Sequence, residues 1–379
     1  MNTINCSSAH AARGVLGHRL WSISWLSLLL SLSMSLLLIT VPSLAKGESG
    51  LEPLFEPAPR AADGRFVNGA GDIAHGSIKD RIPFMLRRFG GMLRSSADAP
   101  RLVANNGALL RANTSQSTAT WIGHATVLVQ MQGATFLTDP IWSNTPSPIP
   151  FVGPRRYVPP GMALADLPVI DFVLISHNHY DHLDLPTLRK LAKRNPKAVF
   201  FVPLGNGELL RKQGIEQVQE LDWGDTVQLA GLTIYCLPSQ HWSKRSLRDD
   251  HRALWSSWAV TGPQRRFYFA GDSGYFDGFK TIGEKLGPFD LAALPIGAYQ
   301  PQAMMRQSHM NPEQAVQAAQ DLRADKAMAI HFGTFDLSDE PLAEPPRRFL
   351  EAALNSGADS TEADLTEAWL FNIGQTRAF

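Results

Sequence analysis

Cysteine is nearly absent: Cys6 and Cys236 are the whole supply in 379 residues. No cysteine cluster can therefore hold a metal, and once the N-terminus is removed no intrachain disulfide is available. Net charge is absent too, with 35 basic residues set against 35 acidic ones, which lacks the basic footprint of a nucleic-acid binder. There is no internal repeat, and no low-complexity tract beyond the N-terminus. Two catalytic signatures are also missing. No histidine is followed two positions later by lysine, which excludes the covalent-histidine route to phosphodiester cleavage. Gly271-Asp272-Ser273-Gly274 is not the Gly-x-Ser-x-Gly elbow of a serine hydrolase.

What is present describes a globular, turn-rich chain, 44% hydrophobic with 30 glycines and 26 prolines. Its length allows one large domain or two modest ones. Residues 1–45 form a targeting or anchoring segment. Arg13, His18 and Arg19 precede a leucine-rich stretch from Leu20 to about Val41, which closes on Pro42-Ser43-Leu44-Ala45. A positive flank, an apolar run and a small-x-Ala site are the marks of an export signal. The run exceeds the usual ~7–15 residues of such a signal and approaches the ~20 that span a bilayer, so an uncleaved anchor competes with it. Either way the remainder is expected outside the cytoplasm, periplasmic or exterior, and associated with the membrane.

Residues 46–117 read as a linker and an N-terminal extension packing on the core. Within them, Ile82 to Arg94 mixes basic and apolar residues: either an ordinary helix or a segment that touches a membrane surface. From Thr118 to the C-terminus, residues 118–379, strands and turns take over. Ala119 to Met131 alternates as one strand and Ala134 to Thr138 as another, and a proline-rich loop covers 143–161. Strands then alternate with helices: Phe172–Ser176, a helix near Pro186–Arg194, Val199–Val202, a helix near Gly207–Gln213, Leu232–Leu237, Trp258–Thr261, Phe267–Ala270, a helix Pro312–Arg323, and Ala327–Ile330. A single α/β domain accounts for this order. Cys236, inside the apolar run Leu232–Leu237, is expected to be a buried packing residue.

The chemistry concentrates after Phe172-Val173-Leu174-Ile175-Ser176, an apolar run expected to be a buried strand. His177-Asn178-His179-Tyr180-Asp181-His182 follows at once. Residues two apart in an extended segment point the same way, so His177 and His179 can face one metal while Asp181 and His182 face another. Imidazole and carboxylate suit zinc and leave open positions. Three further candidates sit just past apolar strands: His241 after Leu232–Leu237, Asp272 after Phe267–Ala270, and His331 after Ala327–Ile330. Ligand-bearing residues gather at that end of strands in α/β proteins.

Whole phrases carry a resemblance. Trp121-Ile122-Gly123-His124-Ala125-Thr126, Phe136-Leu137-Thr138-Asp139-Pro140, Ile175 through Asp184, Pro238-Ser239-Gln240-His241-Trp242, Phe269-Ala270-Gly271-Asp272, Pro295-Ile296-Gly297-Ala298-Tyr299 and Ala329-Ile330-His331 keep their order. From roughly Gly64 to the C-terminus the chain resembles the N-acyl-phosphatidylethanolamine-hydrolysing phospholipase D family of the metallo-β-lactamase superfamily. The resemblance implies a four-layer αββα sandwich with two zinc ions between the sheets. It assigns His177, His179 and His241 to one ion and Asp181, His182 and His331 to the other, with Asp272 bridging. It implies a hydroxide attacking phosphorus with Asp181 accepting its proton, and a membrane phospholipid as partner, with room for a homodimer.

His309, before the helix opened by Pro312, is the candidate for protonating the leaving group or binding the phosphate. Ser308 departs from the glutamine that the family pattern has beside that histidine. His124 and Asp139 are expected to support the ligands, Asp139 by accepting the outer N–H of a ligating histidine. Arg155 and Arg156 are expected to be solvated, with a phosphate contact as the other reading. Trp242 and Tyr299 either wall the cleft or pack. Two alternatives share this scaffold: hydrolysis of another ester, such as a lactone or cyclic phosphodiester, and a non-catalytic zinc- or lipid-binding protein.

Overall fold

The computed structural model describes residues 54–71, 73, 76–90, 97–149, 152–356 and 366–379. The leucine-rich stretch and residues 46–53 lie outside the described residues. Among those described, no helix is long and apolar enough to cross a membrane.

Two seven-stranded sheets organise the chain. The first runs, in spatial order, β14 (Thr376–Ala378), β1 (Thr118–Gly123), β2 (Thr126–Met131), β3 (Ala134–Thr138), β4 (Phe172–Leu174), β5 (Val199–Pro203) and β6 (Val218–Leu221). The second runs β13 (Glu367–Trp369), β12 (Lys326–Ile330), β11 (Leu291–Pro295), β10 (Arg266–Phe269), β9 (Ser257–Thr261), β8 (Leu232–Leu237) and β7 (Thr226–Leu229). Each sheet is half antiparallel and half parallel: β3 to β6 are parallel in one, β10 to β13 in the other.

The strands are apolar throughout because both faces are covered. Phe136, Phe172, Leu174 and Phe201 point between the sheets, where they join Ile234, Trp258, Phe267 and Phe269. Their neighbours Leu137, Val173, Phe200 and Val202 point outward into a second cluster. There they meet α2 (Ala108–Ala112), α3 (Leu185–Arg194) and α4 (Gly207–Arg211) through Leu110, Leu188, Leu191 and Leu210. Over the other sheet lie α5 (Gly278–Leu286), α7 (Pro312–Asp321) and α8 (Glu344–Ser356), with α7 against β11 and β12. This is the α/β sandwich that the sequence led us to expect.

Phe55 and Phe66, N-terminal to β1, are buried in the larger of the two core clusters. Helix α1 (Ile78–Gly90) packs against α6 (Gln302–Met305). Cys236 is buried and free, as a packing residue should be.

One strand was misread. Ala119 to Met131 is not continuous; it folds back as the antiparallel hairpin β1–β2 around His124 and Ala125. Gly123 takes φ 130° and His124 φ 55° at the turn. Both strands are buried on both faces, so the hydrophobic alternation runs through the turn without marking it.

Candidate metal centre

The loops after β4, β8, β10 and β12 converge on one point at the sheet edges. They bring together all seven residues singled out as metal candidates. His177 Nε2 lies 2.8 Å from His179 Nδ1, and His241 Nε2 lies 3.3 Å from the same atom. Beside this trio, His182 Nε2 and His331 Nε2 are 3.2 Å apart. Asp181 Oδ2 sits 3.3 Å from His182 Nε2 and 3.5 Å from His331 Nε2. Asp272 stands between the groups: its carboxylate is 3.1 Å from both His182 Nε2 and His331 Nε2, and 3.9 Å from His177 Nε2 and His241 Nε2.

Outer hydrogen bonds fix which nitrogens face inward. His241 Nδ1–H donates to the Ser308 carbonyl at 2.9 Å. His182 Nδ1–H donates to Asp139 Oδ2 at 2.6 Å. Ser176 Oγ–H donates to the same carboxylate oxygen at 2.5 Å and so accepts from His177 Nδ1–H at 2.9 Å. The inward Nε2 atoms of His177 and His241 are therefore lone pairs, while burial opposes charge on His182 but the ring of Asp272, Asp181 and Asp139 pushes it well above the ordinary imidazole range. His179 Nε2, buried and without a hydrogen-bond partner, completes the picture. Lone pairs and carboxylates packed at contact distance repel unless a cation stands among them, so the donor set fits a metal ion. Asp139 thus takes the supporting position expected of it, held also by the Ser176 N–H at 2.7 Å.

The charges agree. Burial pushes His177 and His241 well below the ordinary imidazole range, and His179 down to about 4, leaving neutral rings. Burial also opposes charge on His331, but Asp272 and Asp181 outweigh it and lift the ring to about 9. Asp272 is held well below the usual carboxylate range: burial raises it, and His182 and His331 more than compensate. The carboxylates collect positive charge wherever it is offered.

His309 approaches from the segment before α7, its Nδ1 3.9 Å from Asp272 Oδ2 and without a hydrogen-bond partner. Burial lowers it to about 4. His124, at the β1–β2 turn, places Nε2 2.9 Å from Asp181 Oδ2 and lies within ligand distance of Asp181, His182 and His331. A cavity of about 600 Å³ opens on the centre, with Asp181, His309, Trp242, Arg81 and Phe84 among its walls. Trp242 walls the cleft. Tyr299 does not; it is buried, with its hydroxyl on Glu344 at 2.8 Å.

Arg156 also departs from expectation. It is buried rather than solvated, donating to the Ile141 carbonyl at 2.9 Å and the Ser143 carbonyl at 3.1 Å, so it ties down the proline-rich loop. Its neighbour Arg155 is exposed. Several supporting residues escaped sequence reasoning. Asn68 clasps the His241 backbone, accepting its N–H at 3.1 Å and donating to its carbonyl at 2.9 Å. Arg245 donates to the carbonyls of Asn178 and Leu183, both at 2.9 Å, and brackets the ligand loop. Neither residue lies in the ligand motifs, and no signal in the sequence marks them.

This fold and donor set define a metal-dependent hydrolase of the β-lactamase superfamily, and residues 134–332 match the family model described as a β-lactamase superfamily domain. The chain is 45% identical over 266 residues to N-acyl-phosphatidylethanolamine-hydrolyzing phospholipase D 1 of Caenorhabditis elegans, which covers 66% of this chain and 75% of that one. It is 34% identical to the mitochondrial enzyme of that name from Saccharomyces cerevisiae, over 60% of this chain and 50% of that one. A metallo-hydrolase structure from Ignicoccus hospitalis shares the fold at TM-score 0.53 and 24% identity, covering 70% of this chain and 99% of that one. Within the superfamily, the chain belongs to the N-acyl-phosphatidylethanolamine-hydrolysing phospholipase D family.

Proposed function

We propose that the chain is a zinc-dependent phosphodiesterase of phospholipase D type that converts N-acyl-phosphatidylethanolamine to N-acylethanolamine and phosphatidic acid. The observation that carries this reading is the 45% identity over 266 residues to the C. elegans phospholipase D, in a chain whose seven donors converge. His177, His179 and His241 would hold one ion and Asp181, His182 and His331 a second, with Asp272 shared. When bound, zinc supplies Lewis acidity to a phosphoryl oxygen and lowers the pKa of water.

The protein's own groups do the rest. Asp181, the more exposed of the two central carboxylates, faces the cavity and takes the proton of the attacking water. The water oxygen bonds to phosphorus, and the bond from phosphorus to the ethanolamine oxygen breaks. The proton returns to the departing alkoxide. His309, kept neutral by burial, offers one N–H to a phosphoryl oxygen, which favours phosphate binding over its role as a proton source. His124 orients Asp181 through their hydrogen bond. Arg81, and Lys244 paired with Asp250 at 3.6 Å, line the cavity where the diester's charge must enter.

The same reading has residues 1–45 export or anchor the chain to the outer side of a membrane, 46–117 serve as linker and extension, 118–379 form the hydrolase domain, and the protein function alone or as a homodimer on phospholipid. N-terminal sequencing of exported protein tests the first point: a start at Lys46 is expected for a cleaved signal, and a cytoplasmic chain starting at Met1 contradicts export.

The substrate test is direct. Purified, zinc-loaded protein is assayed against N-acyl-phosphatidylethanolamine, a lactone and bis-p-nitrophenyl phosphate. Turnover of the phospholipid is expected, and activity confined to the lactone overturns the proposal.

A further inference from the structure

Helix α1 is built inside out. In a surface helix the apolar stripe normally faces the core. Here Ile78, Ile82, Met85 and Leu86, which recur on one face of the helix, are 73%, 52%, 55% and 66% exposed. The opposite side of the helix carries Phe84, which lines the cavity over the metal centre. Pro146 also contributes to the cavity wall, and close to it in sequence Ile149 and Val152 are 58% and 55% exposed. Exposed apolar side chains therefore stand on the helix that walls the cavity and close in sequence to a second wall residue. Contiguous exposed apolar surface of this kind marks a docking face.

Charge selects the partner. The helix sequence carries Lys79, Arg81, Arg87 and Arg88 against a single acid, Asp80, with Arg87 paired to Asp339 at 2.6 Å. Lys79 and Arg81 are exposed and fall on either side of the apolar stripe. A second copy docked about a two-fold axis on this stripe would set those cations against their own counterparts. An anionic lipid surface meets both features at once.

We propose that the outer face of α1, with exposed Ile149 and Val152 adding apolar contact, seats the protein on an anionic phospholipid bilayer, so that the cavity opens onto the lipid headgroups. The proposal rests on the phospholipid reading and deepens it: the diester enters from the membrane and need not cross water.

The test uses the full-length, zinc-loaded protein with Cys6→Ser, leaving only buried Cys236, and a polarity-sensitive fluorophore on Leu86→Cys. Vesicles of phosphatidylcholine mixed with phosphatidylglycerol should shift its emission to the blue, and pure phosphatidylcholine should do so less. The same label on Val169→Cys, 76% exposed and preceding β4 at the end away from the centre, should not shift. No shift at Leu86, or an equal shift at both positions, overturns the docking face. A shift at Leu86 that grows with protein concentration without vesicles shows a second copy on the stripe and also overturns it.

A kinetic arm separates the two readings. Ile82→Glu with Leu86→Glu should lower kcat/KM on N-acyl-phosphatidylethanolamine vesicles about tenfold or more and leave turnover of bis-p-nitrophenyl phosphate unchanged. Equal vesicle turnover by variant and parent sinks the docking face while the phospholipid reading stands. Blue-shifted Leu86 label with no phospholipid turnover by either protein sustains docking and sinks that reading.

Discussion

Asp139 shows how much of the centre depends on a residue that touches no substrate. It accepts from His182, from the Ser176 hydroxyl and from the Ser176 N–H, and so fixes the rings of His182 and, through Ser176, His177. Asp139→Asn should weaken metal binding by roughly 10–100-fold, the usual cost of losing such a partner, in competition with a chromogenic chelator. Unchanged affinity would show that the ring orientations do not need it. His309→Gln tests a different contribution. Removing an N–H aimed at a phosphoryl oxygen should lower kcat by about 100-fold or more, with metal content at the parent level. Full kcat in that variant assigns His309 to packing alone. The converging donors were legible at this scale because histidine is scarce, 11 in 379 residues, and because each donor or donor cluster followed an apolar strand. Asn68 and Ser176 were not legible. Asparagine and serine occur everywhere, and only the folded chain brings Asn68 against His241, 173 positions away in sequence.

Among the elements, the loops that join strand ends to the donors approach one another closely across the two sheets. Gly271, just before Asp272, has φ +60°, and a Cβ there would lie 2.4 Å from Ser176 Cβ in the loop from the other sheet. Gly271→Ala should destabilise the fold by roughly 2 kcal/mol through backbone strain and the forced separation of the two loops. Thermal unfolding combined with metal analysis checks this: a parental melting temperature with full metal content would mean the loops can part freely. Strand type was readable from continuous apolar runs, and structure agrees over Leu232–Leu237 without a residue's difference. The β1–β2 turn was not readable, since burial on both faces erases the break in alternation. Arg156 escaped for a related reason: a charge in a proline-rich segment reads as solvated until backbone carbonyls are seen to receive it.

At the scale of the molecule, the two sheets pack face to face and deliver from their strand ends a cluster of lone pairs and carboxylates that needs positive charge. Metal bound only by the folded state adds its binding free energy to stability. Chelation should therefore lower the melting temperature by on the order of 5 °C or more, and zinc should restore it; a melt indifferent to both would mean the donors are satisfied without a cation. The central claim, phosphodiester cleavage at this centre on the headgroup side of phosphorus, is tested most directly by turning over N-acyl-phosphatidylethanolamine in ¹⁸O-labelled water. The account predicts label in phosphatidic acid, none in N-acylethanolamine, and no turnover in Asp272→Asn. Label in N-acylethanolamine, release of free fatty acid instead, or full activity in that variant would contradict it.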